Sequence, residues 1–272
     1  MLVGMGAAIA MAGCAACTRP QGDPKKSETR LALARDFLIR DQFEAAEAEA
    51  NKAIAYLPTN DEAYHVRGLV HFYRGMKAFV LVEIEDCLTG LDADALRTDM
   101  DAHLAKAEAD LKKTVELAPD HGEAWSNRGV VSDLLGEPDQ AVEHFTTALA
   151  NQVRLVNPGL TRARLGWSYF HKGDHIAAAK ELRQALQFQP RMCVATYWLG
   201  RVYFAREEWE KAAEQFQDVS DQAACRSQDA ALYLMKARLE QGLPDDARRA
   251  RDACLRLSPR SCAAAQCRAL QL

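Results

Sequence analysis

The chain has 272 residues, 49% apolar and 26% charged, with 34 Lys and Arg against 38 Asp and Glu for a formal net charge of −4. That is apolar material for one or two packed domains, which excludes a disordered or collagen-like chain, and it carries no overall positive field to hold a nucleic acid. Aromatic residues make up only 7% while Ala is abundant, which suits closely packed helices far better than strands, so the expected class is all-α. Eight Cys are many for a cytosolic protein of this size, and an oxidising compartment is the simpler account.

In chain order, residues 1–13 (MLVGMGAAIAMAG) form an uncharged apolar run, about half the ~20 residues needed to cross a bilayer, and read as a signal peptide. The stretch Met11-Ala12-Gly13-Cys14 resembles a bacterial lipobox. That resemblance implies cleavage after Gly13 and acylation of Cys14, with Cys17 as the alternative acceptor. No Lys or Arg precedes the apolar run, so the true start codon can lie upstream. Ala15 and Ala16 lack the Asp of inner-membrane retention, which favours the outer membrane, with the protein facing the periplasm. Residues 14–26, rich in Pro, Gly and charge, read as a tether between lipid and domain.

From Ser27 the sequence repeats itself with a period of about 34 residues. Six copies begin at Ser27, Asp61, Gly122, Gly159, Cys193 and Gln228. They cover residues 27–60, 61–121 with an insertion at about 76–102, 122–155, 159–192, 193–226 and 228–261, and residues 262–272 are left to cap the end. Position 20 is Ala in every copy: Ala46, Ala107, Ala141, Ala178, Ala212 and Ala247. Position 8 is small in five, Ala34, Gly68, Gly129, Gly166 and Gly200, with Met235 as the exception; position 32 is Pro in four, Pro58, Pro119, Pro190 and Pro259. Small residues at 8 and 20 let two helices cross closely, and a Pro at 32 ends the second of them. The pattern resembles tetratricopeptide repeats. The resemblance implies six helix-turn-helix units stacked into a right-handed superhelix, with a concave groove lined by positions 2, 5, 6, 9, 12 and 13 of each first helix.

Searches for chemistry return little. His171 and His175 straddle a predicted turn and share no helical face. Asp92, Asp94, Asp99 and Asp101 lack the Gly and Glu of a calcium loop and read as a solvated loop with a helix N-cap. No nucleophile elbow or phosphate loop is present, so the expectation is a protein that is not an enzyme, without metal, cofactor or small-molecule substrate.

Cys193 at position 1 and Cys225 at position 33 of the fifth repeat fall at one edge of an antiparallel helix pair, and a disulfide there closes a loop worth roughly 3 to 4 kcal/mol. Cys254 has two candidate partners, Cys267 and Cys262, and Cys87 has none evident. Trp167, Phe170, Tyr197, Trp198 and Phe204 fall on groove positions, where they either anchor a peptide or bury themselves against the next repeat. Asn127, at position 6 of the third repeat, is placed to hydrogen-bond a peptide backbone. In the insertion, Leu81, Ile84, Leu88 and Leu91 recur at helical spacing, so the first helix continues and folds back over its neighbours or docks a partner.

Taken together, a lipobox, a short tether, six repeats and a Pro158 spacer before the Leu165-Gly166-Trp167 helix resemble the pilotin lipoproteins of type IV pili, of the PilF/PilW type. The many Cys and the insertion bring the chain nearest to the myxobacterial social-motility lipoprotein Tgl. The resemblance implies an outer-membrane lipoprotein, anchored by its acyl chains, that promotes assembly of the PilQ-type secretin subunit through the groove. The alternative is a periplasmic tetratricopeptide lipoprotein that scaffolds or activates a cell-wall or envelope-assembly enzyme.

Overall fold

A computed structural model describes residues 22–82 and 92–270. Among the described residues there are thirteen α-helices and no strand. In chain order they are α1 (Pro24–Ile39), α2 (Phe43–Tyr56), α3 (Asp61–Val82), α4 (Ala93–Leu117), α5 (Gly122–Leu134), α6 (Pro138–Ala150), α7 (Pro158–His171), α8 (His175–Phe188), α9 (Cys193–Ala205), α10 (Trp209–Asp221), α11 (Gln228–Glu240), α12 (Pro244–Leu257) and α13 (Cys262–Ala269). The first twelve pack as six consecutive antiparallel pairs, each of which also packs on the next, and α13 rests on α11 and α12. The result is a superhelical solenoid.

The turns and stops follow from single residues. Within the pairs the chain reverses through a left-handed residue: Gly136, Gly173 and Gly242 at φ of +74°, +84° and +71°, with Asp41 and Glu207 taking the same role at +56° and +60°. Glycine meets this requirement without a steric penalty, whereas Glu207 does not. Each of the four repeat prolines stands two residues beyond the end of a second helix. The intervening residues, Leu57, Ala118, Gln189 and Ser258, are extended, with φ from −135° to −156°. A following proline ring excludes the helical region for the residue before it, which is why the four helices end alike.

Packing explains the repeat's small positions. All six position-20 alanines are fully buried. A Cβ added to Gly129 would lie 2.7 Å from the Phe145 ring, one on Gly200 2.7 Å from the Phe216 ring, and one on Gly166 2.8 Å from Leu182. The two helices of these repeats therefore cross at a distance that only hydrogen allows. The largest contiguous core gathers repeats four to six and runs into α13 through Cys254 and Cys267. Disulfides join Cys193 to Cys225 and Cys254 to Cys267, so Cys262 is not the partner of Cys254.

One expectation is corrected. The tether was expected to run to residue 26, yet α1 starts at Pro24: Asp23 caps it by accepting the Lys26 N–H at 3.0 Å, and proline at the first turn gives up no hydrogen bond. The described part of the insertion is helical, as expected from its sequence. It lengthens both helices of the second repeat, to 22 residues in α3 and 25 in α4. Gly75 keeps them close at the added turns, since a Cβ there would stand 2.9 Å from Leu104. Asp92 caps α4 by accepting the Ala95 N–H at 3.0 Å, as a helix N-cap in the acidic stretch requires. Cys14, Cys17, Cys87, Ile84, Leu88 and Leu91 lie outside the described residues.

Candidate protein-binding groove

The first helices of successive repeats, α5, α7, α9 and α11, lie side by side along one face of the solenoid. Some side chains at positions 5, 6, 9 and 12 of these helices pack on the core or on their own second helix and also meet those of the next repeat. In repeats four to six these positions include the aromatic residues Trp167, Phe170, Tyr197, Trp198, Phe204 and Tyr233. Trp167 on α7 stacks on Phe170 one turn later, with ring centroids 4.7 Å apart, and on Trp198 of α9 at 5.2 Å and 11°. Tyr197 of α9 meets Tyr233 of α11 edge-on at 6.3 Å. Phe204 meets Trp209 at 4.8 Å and Tyr233 at 5.4 Å, both edge-on. All five sequence-selected aromatics are half-buried: one side of each packs on the core or a neighbouring ring, and the other is open. Anchoring and burial were alternatives at the level of sequence; here each ring does part of both.

Tyr233 and Arg201 complete this patch and were not singled out from the sequence. Arg201, at position 9 of the fifth repeat, lies 4.1 Å from the Tyr233 ring centroid and 5.7 to 6.0 Å from those of Trp167, Tyr197 and Phe170. Its Nη1 donates to the Tyr197 hydroxyl at 3.1 Å. Burial pushes the Tyr197 phenol above its ordinary range while Arg201 pulls it back, so the hydroxyl stays neutral at any physiological pH. A stripe of apolar positions is visible in sequence; a cation held among rings from three different helices is not.

Asn127 departs from the expectation. It is 7% exposed, and its Nδ2 faces His65 Nε2 at 3.2 Å. Its amide ties the third repeat to the second and is not available to a peptide. The same junction holds a group that spacing could not reveal, because Glu62 and His65 on α3 lie some sixty residues from His121. Their ligand atoms all lie within 4.8 Å of one another, which is close enough for a metal ion. The chemistry disfavours one. His121 Nδ1 accepts the Ala124 N–H at 3.2 Å as the N-cap of α5, so the neutral ring carries its proton on Nε2, the atom that faces Glu62 at 3.3 Å. The second Glu62 oxygen already takes Arg35 at 2.7 Å. The group works as a polar strut between repeats two and three, and hydrogen bonds from His121 and His65 hold the Glu62 carboxyl far below the usual carboxylate range. His171 ends α7 and His175 opens α8; they lie on different helices and serve as ring contacts to Trp167 and Phe170.

Comparison with known proteins places this geometry. A tetratricopeptide repeat family model matches residues 102–155, 135–192 and 163–230. Over 113 residues, 42% of the chain, the sequence is 27% identical to human tetratricopeptide repeat protein 13, of whose length the match spans 13%. Among solved structures the chain is similar to PilW, a widely conserved type IV pilus biogenesis factor, with a TM-score of 0.70 and 19% identity over 88% of this chain and 96% of that one. It is also similar to PilF of Pseudomonas aeruginosa, with a TM-score of 0.66 and 13% identity over 90% and 97%. A third likeness is to YrrB, a tetratricopeptide protein with an unusual peptide-binding site, at a TM-score of 0.53 and 18% identity over 81% and 98%. At these identities the likeness is one of fold. The chain is a tetratricopeptide-repeat protein, a protein-interaction scaffold built on the same solenoid as PilW and PilF.

Proposed function

We propose that this protein is an outer-membrane lipoprotein that promotes assembly of the type IV pilus secretin, holding a periplasmic segment of the secretin subunit in the groove of repeats four to six. The observation that carries the reading is the patch of half-buried aromatics, Trp167, Phe170, Tyr197, Trp198 and Phe204, that the neighbouring first helices α7 and α9 gather into one contiguous set of rings, continued by Tyr233 of α11. Rings held in this way give a partner large burial at little cost in rotamer freedom. The near end-to-end likeness to two pilus biogenesis factors and the lipobox at Cys14 support the rest of the reading.

The test uses Trp167→Ala and Trp198→Ala in cells that make the pilus. An interface anchor costs ~2 kcal/mol or more on truncation, about thirtyfold in affinity, while loss of a purely buried ring costs ~3 to 5 kcal/mol of stability. The expected result is a protein that melts near the wild-type temperature, remains at the outer membrane, and leaves the secretin largely monomeric on SDS gels. Full secretin multimer in both variants refutes the groove as the client site. Cys14→Ala should release the protein from the membrane; retention with an acyl label, lost only in Cys17→Ala, moves the anchor to Cys17.

A further inference from the structure

We infer that the segment held by the groove is acidic, and that Arg201 and Lys236 are the pair that reads its carboxylate. Both occupy position 9, in the adjacent repeats five and six. Arg201 lies 4.1 Å and Lys236 4.8 Å from the centroid of one ring, Tyr233, so two cations of neighbouring helices converge on a single aromatic wall. Neither has an ion-pair partner among the described residues, whereas most other half-buried arginines of this solenoid do, among them Arg67 with Asp110, Arg74 with Glu44 and Glu47, Arg128 with Glu108, and Arg162 with Glu181; Arg238 donates instead to the neutral Gln241 amide oxygen. Half-burying two like charges side by side without a counterion is unfavourable in the unliganded protein. Burial, and then the Arg201 charge, lower the Lys236 pKa, which is the mark of that conflict. Other charges are near: Asp229 opens α11 and acts on Tyr197 at longer range, and it neutralises neither cation by contact. Deeper along the same face Arg164 is likewise without an ion pair and senses Glu123 and Asp133 only at a distance.

A carboxylate placed between Arg201 and Lys236 removes their repulsion and finds donors already oriented. The guanidinium has five N–H groups and spends one on the Tyr197 hydroxyl, and the surrounding rings fix its plane, so little freedom is lost on binding. The residue beside that carboxylate meets the Trp167–Trp198 stack. The chemical signature of the occupant is therefore Asp or Glu adjacent to a large apolar or aromatic residue within a peptide. The inference rests on the groove being the binding site, as proposed above, and adds the sign of the ligand.

The experiment displays random peptides on phage and selects them on the full chain purified in detergent, with the Trp198→Ala protein as counter-selection. Peptides retained by the wild type are expected to be enriched in Asp and Glu next to an aromatic residue. For a synthetic winner, replacing its acid by Gln should weaken binding about tenfold, the scale of a charge-assisted contact. Lys236→Gln and Arg201→Gln should weaken it similarly, and 0.5 M salt should do so too, roughly in step with screening. Because Arg201 packs on four rings, Lys236→Gln and the Glu-to-Gln peptide decide the matter if Arg201→Gln melts early. Winners without acidic bias, or a winner indifferent to its own Glu-to-Gln change, overturn the inference. If such a winner is still lost in Trp198→Ala, the groove stands and only its charge preference falls; if no peptide is retained over the Trp198→Ala control, both fall.

Discussion

Replacing Gly200 by Ala sets two effects of known sign against each other. Gly200 lies inside α9, where alanine is favoured over glycine by ~1 kcal/mol through backbone entropy. On that ground alone the variant gains stability. The added methyl, however, would stand 2.7, 2.9 and 3.0 Å from three carbons of the Phe216 ring, where ordinary carbon contacts lie at about 3.5–4.0 Å. The ring has to retreat by nearly 1 Å, and it is fully buried, with Tyr197 5.8 Å and Tyr233 5.6 Å away between centroids. Overpacking costs ~1–3 kcal/mol, and three contacts this short on a fully buried ring put this site at ~2–3 kcal/mol, so packing outweighs propensity and the expected net loss is ~1–2 kcal/mol. Urea unfolding followed by far-ultraviolet circular dichroism, with disulfides intact, measures it. Phe216→Leu in the same chain makes room and should recover part of the loss, so the pair couples in a double-mutant cycle. A Gly200→Ala protein as stable as the wild type, or more so, refutes the account of the helix crossing as set by contact between these two side chains. Because the displaced ring touches Tyr197 and Tyr233, peptide affinity should fall together with stability.

Three further outcomes are expected. Glu207→Gly relieves a left-handed residue at φ +60° and should raise the urea midpoint by the equivalent of ~0.5–1 kcal/mol. Cys193→Ser with Cys225→Ser opens a loop of 32 residues and should cost about 3 kcal/mol, with the midpoint shift on adding dithiothreitol smaller in the variant than in the wild type. Glu62, whose carboxyl is held low by His121 and His65, is ionised in both folded and unfolded chains above its ordinary pKa of about 4.3, so its contribution is complete there and fades as the pH falls below about 4. Glu62→Gln should flatten the stability profile in that acid range, and a profile that keeps the wild-type slope removes Glu62 from the strut.

The repeat architecture was legible in the chain alone because each of its rules is local. A proline two residues past a helix, a glycine at a left-handed turn and a small residue at a crossing act through neighbours on the same helix pair, so their spacing survives as a period in the sequence. The Cys193–Cys225 pairing was legible for the same reason, since both ends belong to one repeat. Even local rules left the edges open: Asp23 and Pro24 start the first helix inside the stretch whose composition reads as a tether, and the insertion lengthened α3 and α4 where folding back or docking a partner was also open. What only the tertiary structure decided lies between repeats. Asn127 has the position of a groove residue and the surroundings of a core one, because His65, sixty-two residues away, claims its amide. Glu62, His65 and His121 come from two helices whose separation carries no motif. Arg201 is one arginine among many in the sequence, and only the stacking of α7, α9 and α11 surrounds it with Trp167, Phe170, Tyr197 and Tyr233 and leaves it, with Lys236, without an acid. Side-chain period fixes which face a residue takes on its own helix; which residue of another repeat it then meets depends on the superhelical offset between repeats, a sum of many small packing terms that no single stretch of sequence encodes.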